Sequence, residues 1–124
     1  MTVKTLTGAD FESTILASTV VLVDFWALWC GPCRAFAPVF ERSAENHPDV
    51  VHAKVDTDTE RELAATVGIR SVPTIMAFRE GILVYSQPGA MSPAVLDNLI
   101  EKIKGLDMER VRAQIAERKA AVKA

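Results

Sequence analysis

The chain has 124 residues, 49% of them apolar and 24% charged, enough for one domain with a single core but not for two. Its net charge of −2 argues against a general nucleic-acid binder, which needs a basic face to neutralise phosphates. The longest apolar run, around Val20 to Trp26, has the length of a strand rather than a membrane span. Met1 to Thr5 carries neither the apolar core nor the small-residue cleavage site of a signal peptide, so the expected location is cytoplasmic.

In chain order, Val3 to Leu6 reads as a short first strand. Thr7 is placed to cap a helix whose Phe11 and Ile15 face inward, and Asp10 faces its free amides. Val20 to Trp26 is apolar on both faces, as expected of a central strand covered on each side, apart from Asp24, a carboxylate where burial is costly. A helix is expected from Cys33 to about Glu45 with Phe36, Val39 and Phe40 inward and Pro38 kinking it. Val50 to Val55 alternates, placing Val51, Ala53 and Val55 on one face and His52 and Lys54 on the other. His47 and His52 are expected at the surface without partners. Asp56 to Asp58 supplies turn and cap chemistry for a helix from Thr59 to Val67, closed by Gly68. Thr74 to Phe78 and Ile82 to Tyr85, joined by Glu80-Gly81, read as an antiparallel hairpin. Ser92 then caps and Pro93 opens a helix carrying Val95, Leu96, Leu99, Ile100 and Ile103 inward to Gly105. This order of elements implies a mixed sheet between helices.

The chemistry concentrates in Trp29-Cys30-Gly31-Pro32-Cys33, where a buried strand hands over to a helix. These are the only two cysteines, too few to staple a chain of this length. At a helix start, free N–H groups and the dipole favour thiolate over thiol, and thiolates carry out disulfide exchange. The competing interpretations are a structural thiol pair or half of a metal site. A closed zinc or iron–sulfur site needs four ligands, which one C-x-x-C reaches only through a dimer.

Several separated features agree with this centre: Val23-Asp24-Phe25-Trp26-Ala27, Ala37-Pro38, Lys54, Asp56, Gly68-Ile69-Arg70, Val72-Pro73-Thr74, Gly81 and Gly89-Ala90. Together with Trp-Cys-Gly-Pro-Cys they resemble the thioredoxin family over roughly the first hundred residues. The resemblance implies an α/β thioredoxin fold, a central mixed sheet flanked by helices on both faces. It implies a Cys30–Cys33 redox disulfide in which Cys30 attacks a substrate disulfide and Cys33 resolves the mixed disulfide. Asp24 corresponds to the buried carboxylate that takes the Cys33 proton, Lys54 to its tuning partner, and Pro73 to a cis-proline beside the cysteines. Trp29, Gly31, Pro32, Ile69, Val72, Gly89 and Ala90 correspond to the substrate rim, with the Val72 backbone pairing to an extended substrate.

The expected activity is therefore that of a protein-disulfide reductase with no bound cofactor, its electrons coming from NADPH through a thioredoxin reductase. The expected partners are that reductase and disulfide-containing proteins, with no nucleic acid and no membrane, and the chain is expected to be a monomer. Oxidants and isomerases of this superfamily commonly carry a histidine where Gly31-Pro32 stands, so the implied poise is reducing. The alternatives are such an oxidant or isomerase, and a binding module for which redox activity is incidental.

Two departures stand out. Leu28 replaces a residue often polar or charged in the family, making the rim more apolar, and Pro88 precedes Gly89. Residues 1–105 are expected to form the thioredoxin domain and 106–124 a C-terminal helical extension. In that extension Asp107 is a cap, and Met108, Val111, Ile115 and Val122 form a narrow stripe.

Overall fold

The computed structural model describes residues 3–123. Its elements are β1 (Val3–Thr5), α1 (Phe11–Ala17), β2 (Val20–Trp26), α2 (Gly31–Asn46), β3 (Val51–Asp56), α3 (Arg61–Thr66), β4 (Thr74–Arg79), β5 (Ile82–Pro88), α4 (Pro93–Lys104) and α5 (Met108–Lys123). The five strands lie in the order β1-β3-β2-β4-β5. β1, β3 and β2 are parallel, whereas β4 runs antiparallel to β2 and β5 antiparallel to β4. The result is a mixed sheet with β2 at its centre, which explains why that strand is apolar on both faces.

The strand periodicity divides the core. Val21, Val23 and Phe25 of β2 join Phe11 and Ile15 of α1 on one face of the sheet. Val20 and Leu22 join Phe36 and Phe40 of α2 and Leu96, Ile100 and Ile103 of α4 on the other. Each such fully buried aromatic or aliphatic side chain contributes roughly 1.5–3 kcal/mol relative to an exposed one. By the same period of two, Asp24 and Trp26 continue the α2 face toward the N-terminal end of that helix.

The differences from the sequence expectations are local and physical. α1 begins at Phe11, because Thr7–Asp10 closes a turn first: the Thr7 amide donates to Asp10 Oδ1 at 2.7 Å, and the Phe11 amide to the Thr7 carbonyl at 3.1 Å. α3 is shorter than expected, since Asp56 Oδ1 accepts from the amides of Asp58 and Thr59 and holds them in a turn. Gly68, at φ 78°, follows that helix in the left-handed region. The hairpin turn places both Glu80 (φ 52°) and Gly81 (φ 80°) there, as a two-residue loop matching the strand twist requires. Ser92 Oγ accepts from the Val95 amide, and Pro93 opens α4. Val95 itself is 54% exposed, because the inward stripe of α4 runs through Leu96, Ile100 and Ile103 instead.

Both histidines correct the surface expectation. His52 is 1% exposed. Its face of β3 is covered by α2, where Ser43 Oγ lies 2.9 Å from Nε2, while Nδ1 lies 3.1 Å from the Val50 carbonyl oxygen. A carbonyl accepts only, so Nδ1 carries the proton and Nε2 accepts from Ser43. His47 pairs with Asp97 at 3.0 Å.

Beyond Gly105, Asp107 Oδ1 accepts from the Arg110 amide, as its capping role predicts. Met108 is buried, and Arg112 pairs with Glu80 at 2.7 Å. Arg79, at the end of β4, donates to the carbonyls of Ile103 at 2.6 Å and Lys104 at 3.0 Å, satisfying the C-terminus of α4. Val111 and Ile115 are half-buried and line a groove with Ile82, Leu83 and Val84 of β5, whereas Val122 is 86% exposed, so the apolar stripe of α5 is covered over its first half and bare at its end. No described helix is long and apolar enough to cross a membrane.

Candidate active site

The centre forms where β2 ends and α2 begins. Cys30 is the N-cap residue of α2, with Gly31 and Pro32 opening the helix. Proline suits this position because its missing N–H belongs to the first turn, which has no partner to offer it. Cys30 and Cys33 are disulfide-bonded, with Cα atoms 5.2 Å apart. Both are 3% exposed, so exposure does not distinguish attacker from resolver. Hydrogen bonding does: the Cys33 amide donates to Cys30 Sγ at 3.2 Å. A negative charge on Cys30 would therefore meet an aimed N–H and the positive end of a helix. Gly31 and Pro32 are exposed, and a Cβ at Gly31 would meet nothing within 4 Å.

Ala27, Cys30 and Cys33 form a small buried cluster on which Trp26 and Val72 pack. Cys30 Sγ lies 3.6 Å from the Val72 carbonyl oxygen, and the Val72–Pro73 bond is cis. The Gly89 amide donates to the Pro73 carbonyl at 2.8 Å, which brings Gly89, at φ 106°, and exposed Ala90 up to the proline loop. Trp29 and Leu28 are each 70% exposed at the mouth. An open groove of about 310 Å³ runs beside the disulfide, with Trp29, Ile69 and Val72 in its walls. Of the residues expected for the rim, Val72 touches Cys30, Trp29 and Ile69 share a groove with it, and Gly89 and Ala90 lie on the loop bonded to Pro73.

On the strand that leads into the pair, Asp24 is 4% exposed and its Oδ1 has no hydrogen-bond partner among the described residues. Burial raises this carboxyl and the charge of Lys54 offsets part of the rise, leaving it at about 7. Lys54 is the register neighbour of Asp24 on β3. Its ammonium lies 5.6 Å from the centroid of the Trp26 ring, within cation–π range.

Sequence reasoning passed over four residues at this mouth. Asp58 Oδ2 accepts from Trp29 Nε1 at 3.1 Å, and Arg34 Nη1 donates to the Leu28 carbonyl at 2.7 Å. Arg61 and Arg70 line the groove. Asp58 read only as part of a turn and Arg70 only as part of the Gly68-Ile69-Arg70 resemblance, while Arg34 and Arg61 carried no local signal; the packing of α2, α3 and the loop before Val72 brings them to this mouth. Among the described residues, no group of three or more His, Cys, Asp or Glu side chains is arranged to hold a metal ion.

A cysteine pair capping a helix at the end of a central strand, with a cis-proline loop against the capping sulfur, defines a thiol–disulfide exchange protein. Comparison with known proteins agrees. The thioredoxin family model matches residues 2–103, and the chain belongs to the thioredoxin family. It is 48% identical over 115 residues to a protein of Streptomyces coelicolor that carries a thioredoxin name, covering 93% of this chain and 86% of that one. That span is longer than residues 1–105 alone supply, so the match continues into α5. A thioredoxin of Alicyclobacillus acidocaldarius is 50% identical over 102 residues, covering 78% of this chain and 97% of that one. Among solved structures, a mutant thioredoxin from Halobacterium salinarum superposes with a TM-score of 0.79 at 36% identity, covering 85% of this chain and 93% of that one. The oxidised thioredoxin of Plasmodium falciparum gives 0.73 at 37% identity, covering 81% and 96%. With its cysteine pair in place, the chain is a thiol–disulfide oxidoreductase, a protein-disulfide reductase working by dithiol–disulfide exchange.

Proposed function

We propose that the reaction is divided among the named residues as follows. In the reduced protein the Cys30 thiolate attacks one sulfur of a substrate disulfide. That S–S bond breaks, a new one forms to Cys30, and the first substrate sulfur leaves as a thiolate that takes up a proton. The Asp24 carboxylate accepts the Cys33 proton, directly or through water, and the Cys33 thiolate then attacks Cys30 Sγ. The second substrate sulfur departs, two electrons have passed to the substrate, and the Cys30–Cys33 disulfide described above is the product. The observation that carries this division is the N-cap geometry, in which the Cys33 amide serves Cys30 Sγ and so marks Cys30 as the sulfur best able to hold charge.

Lys54 tunes Asp24 through its charge. A carboxyl near 7 is poised to take and return a proton at neutral pH. Pro73 and the Val72 backbone present an extended edge to the substrate, and Trp29, Gly31, Pro32, Ile69, Gly89 and Ala90 form the surrounding rim. Thioredoxin reductase, drawing on NADPH, restores the dithiol, so this chain needs no cofactor of its own. We place the protein in the cytoplasm as a monomer acting on disulfide-containing proteins, with residues 1–105 as the catalytic domain and 106–124 as its helical extension.

The test is insulin reduction, followed as turbidity with dithiothreitol and then with NADPH and a bacterial thioredoxin reductase. The parent protein accelerates both, Cys30→Ser abolishes the effect, and Cys33→Ser accumulates mixed disulfides. A Cys30→Ser protein as fast as the parent would refute the division of roles. Acceleration with dithiothreitol alone would refute the reductase assignment.

A further inference from the structure

The groove beside the disulfide is not uniformly apolar. Arg61, from the first turn of α3, and Arg70, from the loop before Val72, enter the same walls as Trp29 and Val72. Both arginines are exposed, and among the described residues neither forms an ion pair with a carboxylate. Arg79 and Arg112 behave differently, both pairing with Glu80. Among the described residues Arg61 is tethered by one contact, Nε to the Asp58 carbonyl oxygen at 3.3 Å, with none at the outer nitrogens of its guanidinium. The nearby carboxylate of Asp58 is engaged by the Trp29 indole. A chain of net charge −2 thus turns the unpaired guanidinium groups of Arg61 and Arg70 into this groove, with Arg34, bound to the Leu28 carbonyl, adding positive charge at the same mouth and Asp58 the one negative charge among these four residues.

From this charge arrangement, we propose that Arg61 and Arg70 select substrates whose disulfide cysteine is flanked by Asp or Glu. The proposal deepens the function given above and rests on it. A guanidinium binds a carboxylate in a planar, two-pronged geometry, giving direction as well as attraction. Arg70 stands two residues before Val72. A substrate strand paired with Val72, its cysteine facing Cys30, therefore presents residues about two positions from that cysteine to Arg70. Arg61, across the groove on α3, meets the side chain of such a residue from the helix side. The attraction is exposed and so screened by salt, which makes it a device for choosing among substrates and speeding encounter.

The experiment uses three otherwise identical disulfide peptides with Asp, Ser or Lys two positions from each cysteine. Rates are measured with the full-length protein at low and at high salt. At low salt the Asp peptide is expected to exceed the Lys peptide in kcat/KM by roughly tenfold, mostly through KM, and the ratio should shrink at high salt. In Arg61→Ser/Arg70→Ser the ratio should fall toward one, and in Arg61→Glu/Arg70→Glu it should invert in favour of Lys. Equal rates on all three peptides with the parent protein, or a preference that survives charge reversal, would overturn the proposal alone. No reduction of any peptide would overturn both it and the function on which it rests.

Discussion

Asp24 and Lys54 are register neighbours on adjacent parallel strands, yet among the described residues no ion pair joins them; the Lys54 ammonium lies instead over the Trp26 ring. Lys54 therefore acts on Asp24 at a distance, through charge, from a half-exposed position beside the buried carboxyl. Because that charge offsets part of the rise that burial imposes on a carboxyl standing at about 7, Lys54→Met should move the Asp24 titration above that value. The acidic limb of the pH–rate profile for disulfide reduction should shift alkaline with it. An unmoved limb, or one shifted to lower pH, would show that Lys54 does not tune this carboxyl.

Asp24→Asn removes the proposed proton acceptor while keeping the shape of the side chain. Near neutral pH few Cys33 thiols ionise unaided, so the resolving step should slow by roughly tenfold or more. At alkaline pH the thiol ionises without help, and the variant should approach the parent rate. Rapid-mixing kinetics between pH 6 and 9 would separate the two regimes. A loss of equal size at every pH would assign Asp24 a structural role instead.

The same carboxylate should weaken the fold. Asp24 titrates near 7 in the native protein and near 3.9 when unfolded, so unfolding releases its proton between those values. Stability attributable to this group is thus greatest below the unfolded value and is lost as pH rises toward 7. Asp24→Asn should be more stable than the parent at pH 8, by on the order of 4 kcal/mol if the full shift is realised. Denaturant unfolding of both oxidised proteins at pH 4 and pH 8 would test it. The gain should nearly vanish at pH 4, and a gain equal at both pH values would contradict the linkage.

Local pattern carried most of the fold. Val20 to Trp26 matches β2, and Ser92-Pro93 marks the start of α4, because strand burial, capping and proline geometry are written in neighbouring residues. The cysteine pair is legible for the same reason, lying at a strand-to-helix junction that the local residue pattern reveals. What needed tertiary structure was misread or missed. His52 alternates with apolar residues and so looks solvent-facing, but α2 passes over it. Val95 has the spacing of an inward residue, yet the α4 stripe settles one position further on. Arg79 follows a strand and gives no local sign that it will satisfy the end of α4. Arg61 and Arg70 face the groove only once α3 and the proline loop are in place. The roles of Asp24, Lys54 and Pro73 came from family resemblance, since no spacing rule links residues this far apart.

His52 provides the last test, on a group with no part in catalysis. Burial holds its imidazole below the ordinary value of 6.5, with only a partial offset from the Val50 carbonyl. The folded protein therefore resists protonation while the unfolded chain accepts it. Stability from this group is complete above about 6.5 and is lost progressively as pH falls below that value toward the lowered native one. His52→Leu should cost about 1–3 kcal/mol at pH 7.5, because Ser43 Oγ and the Val50 carbonyl lose their partner. Adding Ser43→Ala should recover part of that loss by removing one stranded group. Between pH 7.5 and pH 5 the parent should lose stability relative to the double variant, which has no imidazole at this position to protonate. Thermal or urea unfolding across that range measures the difference directly. A gap between parent and double variant that stays constant with pH would mean that His52 protonates in place as readily as in the unfolded chain, and a parent that gains stability as pH falls would mean that the fold favours the charged imidazole.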